Sequence, residues 1–155
     1  IITIDGNGKD DIEDIPKFAE ELDKGFDYIQ GSRFIKGGRA INNPLIRLLA
    51  IRLIHAPLIS LAARHWYTDT TNGFRAYRRR YLLDPQVKPF REVFFNYELL
   101  AYLTVRTNQL GYKTKEIPVT RRYPSGKIPT KISNFSDYWD LIGTLLKTVA
   151  GKFNP

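Results

Sequence analysis

Ile1-Ile2-Thr3-Ile4-Asp5-Gly6-Asn7-Gly8-Lys9-Asp10-Asp11 opens the chain with four β-prone residues that run into a turn of small, acidic and amide side chains. An apolar run of that length, closed by Gly6 and Gly8, predicts a buried strand ending at a loop. In open α/β sheets, ligands bind in the crevice beyond the carboxyl ends of the strands. Asp5 and Asn7 are therefore expected to present oxygen atoms where a cation and a phosphorylated compound would sit. Hard cations such as Mg2+ bind through one or two carboxylates together with phosphate oxygens. The same residue types also populate plain turns for backbone reasons, and on this stretch alone both readings stand.

The 155 residues suffice for one domain with a real core. The chain has no Met and begins inside what reads as a core strand, so it reads as a piece of a longer chain. A parallel sheet starting at Ile1 would need neighbouring strands to cover it. The absence of Cys excludes disulfides and thiolate metal sites. With His55 and His65 the only histidines, a His-rich zinc site is disfavoured. A formal charge of +8 points to polyanionic partners: phosphates, nucleic acid or an anionic membrane. No stretch of about 20 residues is apolar without interruption, so no transmembrane helix is expected.

Asp14-Ile15-Pro16 predicts a helix start, with Asp14 as cap, Pro16 in the first turn, Ile15, Phe18, Ala19 and Leu22 on one face, and Gly25 at its end. Phe26 to Gln30 reads as the next strand. Strand, helix, strand is a right-handed parallel crossover, which brings the loop Gly31-Ser32-Arg33 to the sheet edge where Asp5 and Asn7 lie. Arg33 there could pair bidentately with a phosphate. Residues 28 to 68 hold no Asp or Glu and six Lys or Arg. Within them, Pro44 to Trp66 fits two short helices broken at Pro57. Such a basic, apolar pair suits the interface of an anionic membrane. It equally suits a buried pair whose arginines snorkel outward.

Asp69, in a Thr/Asn/Gly turn just before Arg78-Arg79-Arg80, could serve as a base or as an Asx turn. Asn96 to Leu110 predicts a helix ended by Gly111, with Glu98 near its start as a second acid or a dipole partner. Lys115 to Thr120 reads as a short strand closed by Pro118. Arg121 to Lys131 forms a basic loop suited to a lid that closes on a pyrophosphate. Phe135, Tyr138, Trp139, Ile142, Leu145, Leu146 and Val149 recur at helical spacing behind the cap Asn134.

Six stretches in collinear order resemble the family 2 glycosyltransferases, and most nearly their dolichyl/polyprenyl-phosphate sugar transferase branch. They are Asp5-Gly6-Asn7-Gly8-Lys9 through Pro16, Gly31-Ser32-Arg33-Phe34 with Gly37-Gly38, Asp69 with Asn72-Gly73-Phe74-Arg75-Ala76, Glu98-Leu99-Leu100, Glu116-Ile117-Pro118-Val119, and Gly126-Lys127. The resemblance implies the C-terminal portion of a Rossmann-like GT-A α/β domain with a mostly parallel sheet and flanking amphipathic helices. It implies one glycosyltransferase domain over 1–155, with a metal and phosphate crevice (1–33), basic apolar helices (41–67), an acceptor side with a basic loop (68–131) and a C-terminal amphipathic helix (134–150).

The same resemblance implies transfer of a sugar from a UDP- or GDP-sugar to a polyprenyl-phosphate or glycan acceptor, with inversion, in cell-envelope polysaccharide or glycolipid synthesis. Its Asp-x-Asp motif falls on Asp5 and Asn7, which would hold Mg2+ or Mn2+. An amide thus replaces the second carboxylate, and Lys9 stands where the family often has Gln. Lys9 accordingly either takes over part of the metal's charge neutralisation or points to solvent while Asp5 and Asn7 hold the ion in the ordinary way. Arg33, Arg122 and Lys127 are the expected phosphate clamps. Asp69, then Glu98, would be the base for a hydroxyl acceptor, whereas an ionised phosphate acceptor needs none. The expected location is cytoplasmic and peripheral at the inner face of the membrane, with no nucleic acid bound. The alternatives are a non-catalytic basic domain on nucleic acid or an anionic membrane, and a fragment left inactive without its nucleotide half.

Overall fold

A computed structural model describes residues 1–95, 98–124 and 135–155, with the backbone alone for 135–141. Strands β1 (Ile2–Thr3), β4 (Arg75–Tyr77), β2 (Tyr28–Ser32) and β5 (Thr114–Pro118) form one sheet in that spatial order. β3 (Arg39–Ile41) and β6 (Thr120–Arg122) form a second, two-stranded parallel sheet. The crossover from β1 through helix α1 (Ile15–Asp23) does bring β2 parallel to β1, but β4 lies between them, antiparallel to both. Only β2 and β5 pair in parallel within the larger sheet. The sheet is therefore mixed, which corrects the mostly parallel expectation. The inserted strand is Arg75-Ala76-Tyr77, too short to carry a periodicity that would announce it.

Alternation along the strands fills both faces. Ile29, Ala76 and Ile117 point with Phe18 of α1 into one cluster. Tyr28 and Tyr77 point into a second cluster with Ile59, Tyr67, Tyr81, Tyr102 and Leu145. The short helix α4 (Arg79–Leu82) gives this cluster Tyr81 and Leu82, and helices α3 (Ala56–Ala63), α5 (Glu98–Gln109) and α6 (Phe135–Val149) cover that second face. The result is a helix layer on each side of the sheet.

Several local expectations shift. Asp14 makes no cap; Asp11 accepts from Glu13 N instead, and Asp14 Oδ2 accepts from Thr120 N at 2.7 Å, tying α1 to β6. Ile15 and Ala19 of the expected apolar face are exposed, and Phe18 alone of the four is fully buried. β2 begins two residues later than expected, so Gly31 and Ser32 are strand residues. Gly25 and Gly111 do end their helices, with φ of 98° and 75°.

The expected break at Pro57 is absent. α2 (Leu45–Ala50), a π-helical turn (Ile51–His55) and α3 run on as one helix of 19 residues. Pro57 sits in the first turn after the π segment, where the wider turn accommodates its missing donor. This helix, of mean hydropathy 1.8, is long and apolar enough to cross a membrane by length and composition, against the expectation of none. It is only 22% buried, which also sets it apart from an ordinary core helix.

Candidate active site

The turn after β1 is stitched to β6. Asp11 N donates to Thr120 O and Arg122 N to Lys9 O, while Asp10 bridges Arg121 in antiparallel fashion. β6 in turn lies beside β3, where Tyr123 N donates to Ile41 O. Strand alternation then decides which cations enter the crevice. Val119, Arg121 and Tyr123 face inward, and Arg122 between them is exposed. Arg121 is thus the crevice arginine of this strand, and the clamp expected at Arg122 points to solvent.

Arg121 reaches two carboxylates. Its Nη2 donates to Asp5 Oδ2 at 2.7 Å and its Nη1 to Asp10 Oδ2 at 2.6 Å. Burial pushes the Asp10 carboxyl up, and Arg121 only partly pulls it back. Asp10 Oδ1 and Arg121 Nε are buried without a hydrogen-bond partner among the described residues. Asp5 itself depends on Gly73: a Cβ there would stand 2.4 Å from Asp5 Oδ1. Asn7 is exposed and its Oδ1 accepts from Lys9 N at 3.2 Å, an Asx turn.

Arg33 lies directly after β2 and is buried. Its Nε and Nη2 donate to Asp69 Oδ2 and Oδ1 at 2.6 and 2.7 Å, and its Nη1 donates to the Tyr123 hydroxyl. Asp69 is 0% exposed. Burial would raise its carboxyl, but Arg33's hydrogen bonds and charge outweigh that and hold it below the usual carboxylate range. The expected clamp and the expected base are therefore engaged with each other. A carboxylate with both oxygens on a guanidinium is a weak proton acceptor. Glu116 of β5 supports this pair by accepting from Thr68 N and Asp69 N at 3.0 and 3.1 Å.

Tyr123 is the meeting point. Lys9 Nζ lies 5.7 Å, the Arg47 guanidinium 5.5 Å and that of Arg121 5.8 Å from its ring centre. With Arg33 on its hydroxyl, four cations surround one buried ring. Arg47 comes from the long apolar helix. Arg52, further along it, stacks on Phe34 at 5.1 Å. His55 ties the same helix to the Asp69 loop through Nδ1 and Thr70 Oγ1 at 2.6 Å.

Arg75, fully buried with no carboxylate among its hydrogen-bond partners in the described residues, donates to Thr70 O, Asn72 O and Leu100 O. It thereby locks the loop of Asp69 to the first turns of α5, where Glu98 stands. Lys127 lies outside the described residues. Asp10, Arg121, Tyr123, Glu116 and Arg47 fall within stretches the sequence reading notes, but it gives none of them a site role of its own. Reading the strand as continuing through Tyr123 would have found two of them by period-2 alternation.

The Asp5–Asn7 pair does not fit a lone divalent ion. Arg121 already occupies an oxygen of Asp5, the Asn7 oxygen is used within its own turn, and no group of three His, Asp or Glu side chains is placed to hold a metal among the described residues.

Over 136 residues the chain is 31% identical to a dolichyl-phosphate hexose transferase of Haloferax volcanii, an alignment covering 88% of this chain and 55% of that protein. It is 28% identical over 121 residues to an undecaprenyl-phosphate mannosyltransferase of Micrococcus luteus, covering 77% and 48%. A polyprenol monophosphomannose synthase of Mycolicibacterium smegmatis is 28% identical over 122 residues, covering 77% and 44%. No family model matches. The chain is a homologue of the polyprenyl-phosphate glycosyltransferases. It spans about half the length of the curated relatives it matches.

Proposed function

We propose that this chain forms the phosphate-gripping and acceptor side of an inverting glycosyltransferase that moves a sugar from a nucleoside diphosphate to a polyprenyl phosphate. The observation that carries this reading is the set of four cations around Tyr123, one of them contributed by an exposed apolar helix. Arg33 and Arg121 pair with the carboxylates of Asp5, Asp10 and Asp69, while Lys9 and Arg47 lie over the Tyr123 ring, so these seven groups carry one excess positive charge that an anionic ligand would offset.

A polyprenyl phosphate matches the chemistry on both sides of that boundary. Leu45, Ile46, Leu49 and Leu53 offer exposed apolar surface to the chain and the membrane, and Arg47 brings a guanidinium from the same helix to the crevice. An ionised phosphate oxygen attacks the anomeric carbon without a base. The bond from that carbon to the diphosphate breaks, and the diphosphate leaves with the electron pair. Cations in the crevice stabilise the departing charge. Asp69 then serves to position Arg33, and no step is assigned to a divalent ion. UDP- and GDP-sugars are both candidate donors. The cations gather in one crevice and not along a stripe, which favours this reading over nucleic-acid binding.

The test is to supply the full chain with labelled UDP- or GDP-sugars and polyprenyl phosphate in anionic vesicles. Label extracted into the lipid phase, and lost in Arg47→Ala, is the expected result. No labelled lipid with any donor overturns the reading.

A further inference from the structure

Asp5 and Asp10 share one guanidinium, with contacts of 2.7 and 2.6 Å. The side chains of Asp10 and Arg121 are almost wholly buried, while that of Asp5 is 41% exposed. A cation set between two carboxylates bridges them, and the guanidinium cancels one of their two charges from the position a bound metal ion would take. A second cation arriving from solvent meets Arg121 at contact distance. The neutral Asn7 adds no compensating charge. A diphosphate is received differently. Arg121 Nε is a buried donor with no partner among the described residues, and the partly exposed Asp5 can yield Nη2. Nε and Nη2 together form the fork that phosphate oxygens accept in bidentate fashion. Lys9, which the sequence offers as one source of this charge, lies over the Tyr123 ring beside it.

We propose that Arg121 holds the place of a free divalent ion between Asp5 and Asp10, so that the crevice binds no such ion by itself and meets a diphosphate with a guanidinium. Only the second half rests on the glycosyl-transfer reading.

Titrating Mn2+ into the full chain while following the paramagnetic resonance signal of the free ion tests the first half. Wild type is expected to leave that signal intact. Arg121→Met is expected to quench it, with Mn2+ affinity raised roughly tenfold or more by loss of one unit charge at contact. Mn2+ should also raise the melting temperature of the variant and not that of wild type. Arg121→Met leaves Asp10 as an unpaired buried charge. A measurement on wild type therefore stands beside it: the backbone amide resonances of Asp5 to Asp11 should not broaden when Mn2+ is added. Broadening there, or equal Mn2+ affinity in wild type and a folded variant, overturns the proposal. Calorimetry with inorganic pyrophosphate in EDTA separates the two halves. Binding by wild type that is lost in Arg121→Met supports the guanidinium grip. No pyrophosphate binding, with the Mn2+ gain intact, removes the diphosphate reading and retains Arg121 as the resident cation.

Discussion

Arg33 and Asp69 close a two-pronged ion pair in which side-chain exposure is 1% and 0%. Breaking a buried pair by removing one charge leaves the other without compensation. Asp69→Asn is therefore expected to lower stability by about 3–5 kcal/mol in a urea titration. The Asp69 carboxyl lies below its ordinary range when folded. Its contribution is thus fully present above the unfolded value and is lost as pH falls through the lower, folded one. An activity assay on the folded fraction distinguishes the roles: turnover with a phosphate acceptor should follow the integrity of Arg33, so Arg33→Lys should impair it as Asp69→Asn does.

Arg121 and its neighbour Arg122 should behave oppositely. Arg122 is exposed and its replacement by Ala should change stability by no more than about 0.5 kcal/mol. Arg121→Ala strands the buried Asp10 and should cost several times more by the same urea measurement.

Gly73→Ala places a methyl group where Asp5 Oδ1 now lies, at 2.4 Å. The carboxylate must move, at a cost of about 1–3 kcal/mol if the backbone shifts with it. The expected readouts are a lowered urea midpoint and a changed side-chain resonance of Arg121, which loses its outer partner.

His55 is held neutral by burial and by the nearby Arg75 charge, which lower its pKa to about 4. The unfolded chain takes up that proton near pH 6.5, so stability is fully present above 6.5 and declines as pH falls towards 4. The loss across that window is on the order of 3 kcal/mol. Urea titrations at pH 7 and pH 4.5 should show it, and His55→Asn should flatten the difference.

Leu53 and Ile46 are among the most exposed apolar side chains of the long helix. Replacing both by Ser should abolish flotation of the chain with anionic vesicles while leaving its melting temperature within a few degrees. Flotation unchanged in that variant would remove the helix from membrane contact.

The α1 crossover and the helix ends at Gly25 and Gly111 were legible because each depends on local chemistry: a turn, a helix face, a positive φ. The opening stretch is a correction: only Ile2–Thr3 form a strand, half-buried at the sheet edge, and Ile1 and Ile4 are 62% and 38% exposed, because an apolar run does not reveal whether its strand lies inside the sheet or at its rim. The antiparallel β4 was not legible, since three residues carry no period and only long-range pairing with Ile2 and Thr3 places them. Arg33 and Asp69 stand out in the sequence separately, one as a phosphate clamp and the other as a base; their mutual pairing spans 36 residues and has no sequence signature. Arg122 was preferred to Arg121 because a loop was assumed where β6 runs, and that assumption erased the alternation that separates them. The sequence predicts a break at Pro57, two residues after His55. In the folded chain His55 is a strut to Thr70 and Pro57 begins a helical turn.

The π turn at Ile51–His55 acts as a rotational joint within a rod. By adding a residue to one turn, it lets the leading half direct Arg47 at Tyr123 while the trailing half keeps Ile59 and Ala63 packed on the tyrosine-lined core. Deleting a single residue there would turn the two halves against each other by roughly a quarter of a revolution. The leading half of the rod would then lose its alignment with the arginine crevice, although every side chain around Tyr123 would still be present.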